Sequence, residues 1–507
     1  MNDFYSGLFN WNRALAAQMS SYRFLTEGVY QYNSEFINPL MTAATLFYQL
    51  EAGKVLQRDP LESADGYARL LAFNNDLMSR YGSGCMEIMS TFLQKEIEGF
   101  LSAWPTMLQE VDGEGAAAFF EKQEETFRRV VRDYPRAIRD IEGEFGFHFE
   151  NHPQSLVGET DRFELRQITP TAEGVETDDR LKPILIIPPF VLGANILAFL
   201  PQQQKSYAHT FANKGIPTYI RLMKDIHSTP AVQTMSMEND VEDIRFFSKK
   251  LLEKHGRRIT LNGYCQGGFS SVCALLTGRL DGLVDALITC VAPMDGTRSQ
   301  GLGDFLRDLP PVFNDLDYGT KTLANGNRIA DGNLMGWIYK LKSIENSGPL
   351  LAMFRDIMML DPRQGRPKEI NKTVAALNYW LQNERSDLPL AVTEMSFASY
   401  NHPITEDGTL PVSIFGKKLN FKALREKNIP WLLCYGESDD LVEKEVALAP
   451  LDHVEAEVTP FPKGHVAIAT SWSHPDSACA LDSIFGKGNY RGPVRFHLDL
   501  SDTPVDR

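Results

Sequence analysis

Leu261-Asn262-Gly263-Tyr264-Cys265-Gln266-Gly267-Gly268 is the stretch on which the fold turns. It follows a short apolar run, Ile259 to Leu261, and opens an apolar segment, Phe269 to Leu280, that reads as a helix. A chain passing from strand to helix over so few residues must turn sharply at Cys265. Glycines at 263 and 267 remove the Cβ atoms that would collide in such a turn. The pattern is G-x-nucleophile-x-G, the elbow that exposes a reactive side chain at a strand end, with cysteine where hydrolases usually carry serine. Taken alone it is short enough to arise by chance, and a buried, inert cysteine in a tight turn has the same local sequence.

The downstream chain decides between these readings. Elbow chemistry requires an acid and then a histidine, in that order. A strand over Trp431–Tyr435 leads into Gly436-Glu437-Ser438-Asp439-Asp440-Leu441-Val442, and a short strand over Glu457–Thr459 leads into Pro462-Lys463-Gly464-His465-Val466. Of the ten histidines only His465 has this setting; His453 and His474 lie nearby on helix or loop surface. In a D-x-x-V pattern the first aspartate orients the base, which selects Asp439 and leaves Asp440 as a solvated neighbour or helix N-cap. An oxyanion would meet the backbone N–H of Gln266 at the helix start. A second donor comes from the loop after Ile184–Ile187: Phe190 or Val191, since Pro189 has no N–H.

Further out, short apolar runs at 184–187, 217–222, 259–261, 286–293 and 430–436 alternate with helical patterns. In the helix between the second and third runs, Val241, Ile244, Phe247 and Leu251 share one face, acids crowd the start, lysines the end, and Gly256 takes the C′ position. Strands alternating with helices imply a parallel sheet covered on both faces. The fold class is therefore α/β: an α/β-hydrolase core, mostly parallel and flanked by helices, with an inserted cap and a helical N-terminal region. The expected divisions are 1–165 (helical, with Phe120, Phe127, Val131 and Ile138 on one face), 166–293 (first part of the core, with the elbow), 294–428 (cap) and 429–507 (second part, with acid and histidine).

Composition narrows the partners. The chain has 507 residues, Lys+Arg 51 against Asp+Glu 66, and a net charge of −15. Without a broad basic footprint, nucleic acid is not expected as a partner. Six cysteines with no C-x-x-C pair, and an N-terminus lacking a basic segment before an apolar one, suit a cytoplasmic protein without a disulfide scaffold. Pro183–Pro201 carries no charge, but Pro188 and Pro189 preclude a membrane-spanning helix. His148 and His152 are four apart, yet Pro153 argues against one helix presenting both to a metal, and Gly301-x-Gly303 lacks the third glycine of a dinucleotide site. No cofactor is expected. Arg221, Lys224, Arg298 and Arg307, at or after strand ends, are the cations available to an anionic ligand, with surface solubility the plainer reading of each.

G-Y-C-Q-G-G at 263–268, I-I-P-P-F at 186–190, Y-G-E-S-D-D-L-V at 435–442, K-G-H-V-A at 463–467 and L-N-Y-W-L-Q-N-E at 377–384 resemble the catalytic subunits of polyhydroxyalkanoate synthases. The resemblance covers about 180 to 475. It implies an α/β-hydrolase core, Cys265 as nucleophile, His465 as base and Asp439 as its partner. The implied activity is acyl transfer: a (R)-3-hydroxyacyl group moves from CoA through acyl-Cys265 to a growing polyester. Implied partners are acyl-CoA, the polyester and its granule, and a second copy or an accessory synthase subunit. The family turn is often P-P-W, here Pro188-Pro189-Phe190, and the segment after His465 is closer to the two-subunit class. An esterase, thioesterase or depolymerase of the same fold is the alternative; a non-catalytic granule scaffold is another.

Overall fold

A computed structural model of the chain describes residues 2–109, 115–147, 154–364, 369–461, 463–470, 474 and 476. His148, His152, Pro153, Pro462 and Cys479 lie outside the described residues. The chain divides into two compact units, one of residues 1–141, 309–313 and 336–379, the other of 142–308, 314–335 and 380–507.

The first unit is helical. α1 (Asn2–Lys54) and α2 (Pro60–Gln109) run 53 and 50 residues, and α3 (Ala116–Arg128) continues through a π turn into Tyr134–Asp140. The one-faced period anticipated here is what the core uses. Phe127, Val131 and Ile138 are buried with Phe24 against Met353, Phe354 and Ile357 of the helix Pro349–Leu360, while Phe120 is half-buried. Inside this layer the Tyr32 hydroxyl donates to Asp356 at 2.6 Å. Burial, the largest influence, pushes the Asp356 carboxyl up to about 6.

Helix does not persist to 165. Gln154–Glu159 (β1) and Phe163–Ile168 (β2) form an antiparallel pair. In β2 the buried residues are Phe163, Leu165 and Ile168, a spacing that departs from a 3.6 period, and the pair caps the edge of the second unit's sheet.

The second unit is built on that sheet. Its further strands are β3 (Ile184–Ile187), β4 (Thr218–Met223), β5 (Ile259–Tyr264), β6 (Val284–Cys290), β7 (Trp431–Gly436) and β8 (Glu457–Phe461), in the order β1-β2-β4-β3-β5-β6-β7-β8. β2 is antiparallel to β4, and every pair from β4 to β8 is parallel. β3, β5 and β7 are buried along their whole length, which is why they read as unbroken apolar runs rather than alternating ones. This is an α/β-hydrolase core.

α4 (Met237–His255) precedes β5. It starts at a capping box between Ser236 and Asn239, ends at Gly256 with φ +65°, and buries Val241, Ile244, Phe247 and Leu251 completely. α5 (Gln266–Leu276) leaves the elbow and is buried throughout. Between β6 and β7 the insertion contributes α6 (Leu390–Asn401), a hairpin of Thr409–Ile414 with Lys417–Asn420, and a small sheet of Thr320–Thr322, Arg328–Ala330 and Leu388–Pro389. Among the described residues no helix is long and apolar enough to cross a membrane.

Candidate active site

The elbow forms because β5 and α5 meet with almost no connecting chain. Cys265 sits between them at φ 52°, ψ −124°, a conformation that costs a non-glycine residue roughly 1–3 kcal/mol. Neighbours hold it there: its N–H donates to the Cys290 carbonyl, and its own carbonyl accepts from Gly268 N–H, both at 2.8 Å. A Cβ on Gly263 would stand 2.6 Å from Gly268 N, one on Gly267 2.5 Å from the Pro188 carbonyl oxygen and closer still to that of Ile187. One on Gly268 would stand 2.6 Å from Ala292 Cβ. The three glycines therefore let α5 press against β5, the β3 loop and the end of β6 at once. Cys265 as a whole is 6% exposed.

Asp439 lies just past β7 and His465 just past β8, adjacent parallel strands that end on the same edge of the sheet. His465 Nδ1 and Asp439 Oδ2 are 2.8 Å apart, and Asp439 Oδ1 accepts from the N–H groups of Leu441 and Val442 at 2.9 Å each. Both side chains are buried, whereas Asp440 is exposed. Burial by itself pushes the imidazole pKa down. The Asp439 carboxylate and then the Cys265 sulfur outweigh that and hold the ring well above its ordinary value. Nε2 of the ring makes no aligned hydrogen bond, although the Cys265 sulfur lies close enough to act on it.

Two side chains that sequence reasoning did not single out complete the surroundings. The Tyr264 hydroxyl donates to the His465 carbonyl at 2.7 Å, and the two rings meet edge-on at 6.2 Å. The Gln266 side chain accepts from Val191 N–H through Oε1 at 2.9 Å and donates through Nε2 to Ser396 Oγ of α6 at 3.0 Å. Their signal was positional: both flank Cys265, and side chains on either side of an elbow have nowhere to point except at its neighbours. Of the expected oxyanion donors, Val191 N–H is thus engaged by Gln266. Gln266 N–H, first in α5, has no acceptor within its helix. Phe190 N–H is the other loop candidate.

The four cations considered for an anionic ligand are held by acids. Arg221 is buried against Asp240 at 2.6 Å, with its guanidinium over the Phe163 ring, and Asp240 also accepts from Ser270 of α5. Lys224 pairs with Glu159, Arg298 with Asp295 and Asp452, and Arg307 with Asp304. A cavity of about 260 Å³ behind the Pro188–Phe190 loop is lined by Phe147, Phe163, Asn195, Arg221 and Glu384 among others, but not by Cys265, Asp439 or His465. Among the described residues no three His, Cys, Asp or Glu side chains are grouped to hold a metal, and the five described cysteines are free thiols.

No family model matches the chain, and no curated protein sequence matches it. Similar solved structures include a carboxylesterase of the thaumarchaeon Nitrososphaera gargenis (12% identity, 62% of this chain and 92% of that one, TM-score 0.33). Others are a thioesterase domain from the curacin biosynthetic pathway (11%, 62% and 94%, 0.32) and an alpha/beta hydrolase from Penicillium sp. sh18 (15%, 64% and 93%, 0.34). The fold assignment rests on the strand order and the elbow, not on these likenesses.

Proposed function

We propose that the chain is an acyl-transfer enzyme that works through an acyl-Cys265 thioester. His465 accepts the thiol proton, and Asp439 holds the ring so that Nε2 is the basic nitrogen. The observation that carries this reading is the hydrogen bond from His465 Nδ1 to a doubly anchored, buried Asp439, with Cys265 strained into the elbow beside the ring. The sulfur attacks the acyl carbonyl, the carbonyl oxygen takes the negative charge, and the N–H groups of Gln266 and Phe190 are the donors proposed to meet it. The leaving group departs with the proton that His465 collected.

What cysteine adds is an energetically level first step with thioesters, since one thioester is exchanged for another. We read the donor as a (R)-3-hydroxyacyl-CoA and the acceptor as the hydroxyl of a polyester chain, on the strength of the motif resemblance at 186–190, 263–268, 435–442 and 463–467. If water takes the acyl group instead, the same residues make a thioesterase or esterase, which needs nothing the site lacks. The parts of the insertion that belong to the second unit, 294–308, 314–335 and 380–428, are the cover proposed to favour transfer over hydrolysis. The CoA phosphates must find cations other than Arg221, Lys224, Arg298 and Arg307.

Incubation with (R)-3-hydroxybutyryl-CoA separates these readings. CoA release with insoluble polyester is the expected result; CoA release with free 3-hydroxybutyrate assigns a thioesterase. Full CoA release by Cys265→Ala would remove the thiol from the mechanism, and no CoA release by the parent would leave the scaffold reading.

A further inference from the structure

The loop that leaves β3 is stiff before any side chain touches it. Pro188 and Pro189 each fix φ at about −65°, and neither has an N–H to give. The first N–H after the strand is therefore that of Phe190, which is 4% exposed and donates to no acceptor among the described residues. Beyond it, Phe190 and Val191 share one peptide plane, and both polar groups of that plane are held. Its carbonyl accepts from Gly193 N–H at 3.3 Å, in a turn that Gly193 closes at φ +70°. Its N–H donates to Gln266 Oε1 at 2.9 Å. The next carbonyl, of Leu192, accepts from Trp380 Nε1 at 3.1 Å. Of these holds, Gln266 is the one that comes from the residue beside the sulfur.

A glutamine side chain is long and freely rotating, so it can fix a neighbour only if its own amide is held. Ser396 of α6 does this: its Oγ accepts from Gln266 Nε2 at 3.0 Å, and Gln266 is 8% exposed. The amide's orientation follows from its partners, since only its oxygen can accept from Val191 N–H. α6 is itself well seated. The Tyr400 ring lies where a Cβ on Gly296 would stand, and the Tyr400 hydroxyl donates to the Leu441 carbonyl at 3.3 Å.

We propose that the Gln266 side chain is a positioning residue, which aims Phe190 N–H at the acyl oxygen and takes its own support from Ser396. This rests on the acyl-Cys265 reading above. The peptide plane that carries Phe190 N–H lies between two fixed neighbours, the Pro189 ring and the Phe190–Val191 plane. Releasing Val191 N–H frees one of the two, and an oxyanion donor is effective only when it is aimed in advance. Gln266 thereby serves the developing oxyanion twice, through its main-chain N–H and through the loop that its side chain holds.

Two reactions of the same sulfur, followed in the full chain, test this. With p-nitrophenyl acetate, His465 takes the thiol proton and sulfur bonds to the acyl carbon. The carbonyl electron pair moves to oxygen, then returns as p-nitrophenolate leaves, and the acetyl group stays on Cys265. With iodoacetamide, sulfur displaces iodide and no oxyanion forms, so that rate reports the thiol and the imidazole without the oxyanion donors. Gln266→Met keeps the volume and loses both hydrogen bonds; Ser396→Ala removes only the support.

Losing a whole donor costs about a hundredfold or more, so a donor that is merely released should cost part of that. Acylation should fall at least about tenfold in Gln266→Met and at least about threefold in Ser396→Ala, with alkylation within about twofold of the parent in both. The double variant should be no slower than Gln266→Met, because Ser396 works through Gln266. Smaller losses of acylation, a larger change in alkylation, or a double variant slower than Gln266→Met overturns the proposal. Circular dichroism checks the fold, and if Gln266→Met does not fold, the two rates of Ser396→Ala decide. A parent acylated at Cys265 by neither p-nitrophenyl acetate nor (R)-3-hydroxybutyryl-CoA overturns the acyl-Cys265 reading and this role with it. An acylated parent with unaffected variants overturns this role alone.

Discussion

Replacing Asp439 with asparagine tests the site where it is most constrained. The new Oδ1 can still accept from Leu441 and Val442 N–H, at the 2.9 Å seen for the carboxylate, so the loop after β7 keeps its shape. What remains facing His465 is then an amide NH2, a donor. The ring must answer with a bare Nδ1 and carry its proton on Nε2, toward Cys265, where it can no longer accept one. The comparable change in serine enzymes costs about 10⁴ in rate. A thiol ionises more readily than a hydroxyl, so the expected loss is about 10³, or ~4 kcal/mol of barrier.

The pH dependence gives a sharper signature. With Asp439 present the imidazole pKa is held well above its ordinary value, so the pH profile of Cys265 alkylation by iodoacetamide should differ between the parent and the variant. In Asp439→Asn that support is gone, and the alkylation rate should rise at higher pH than in the parent. Stability follows the same linkage. A raised folded pKa contributes fully below about pH 6.5 and is lost as pH rises through the folded value, so parent and variant should differ most at pH 5–6 and converge in alkali. Peptide-resolved alkylation and denaturant melts measure both. A variant with the parent's alkylation profile and an acylation rate within about threefold would refute the assigned role of Asp439.

Strain at the elbow predicts that Cys265→Gly is more stable than Cys265→Ala by about 1 kcal/mol or more, because only glycine accepts φ 52° freely; equal unfolding midpoints would contradict this. Gly267→Ala should destabilise by about 3 kcal/mol in urea melts, since the new methyl meets the Ile187 and Pro188 carbonyls and neither strand end can retreat; a loss under about 1 kcal/mol would show that the loop yields. In the helical unit, burial raises the Asp356 carboxyl to about 6, so the chain should lose about 2–3 kcal/mol of stability as pH climbs from about 4 to 6. Asp356→Asn should flatten that slope, and an unchanged slope would place the titration elsewhere.

The parallel strands, the elbow and the loops after β7 and β8 were legible because each follows from short-range rules. Apolar runs without alternation mark covered strands, and paired glycines mark a turn that no Cβ can enter. Asp439 and His465 follow strand ends that topology brings together. β1 and β2 were not legible: Leu156, Val157 and Gly158 alternate poorly, and Phe163–Ile168 is fixed as a strand only by pairing with β1 on one side and β4 on the other. The engagement of Val191 N–H by Gln266 could not be read either, because it depends on how two loops from distant parts of the chain are aimed. The same holds for the four cations, whose carboxylate partners come in most cases from other elements.

The hydroxyl of Tyr264 reaches across from the residue before the sulfur to the main chain of His465. Cys265 and His465 therefore ride on one bracket rather than on two independent arms. Loosening the loop after β8, by heat or by substitution, should drag the thiol out of alignment together with the ring. Anyone grafting this cysteine motif onto another scaffold would have to transplant the tyrosine, and the carbonyl it grips, along with it.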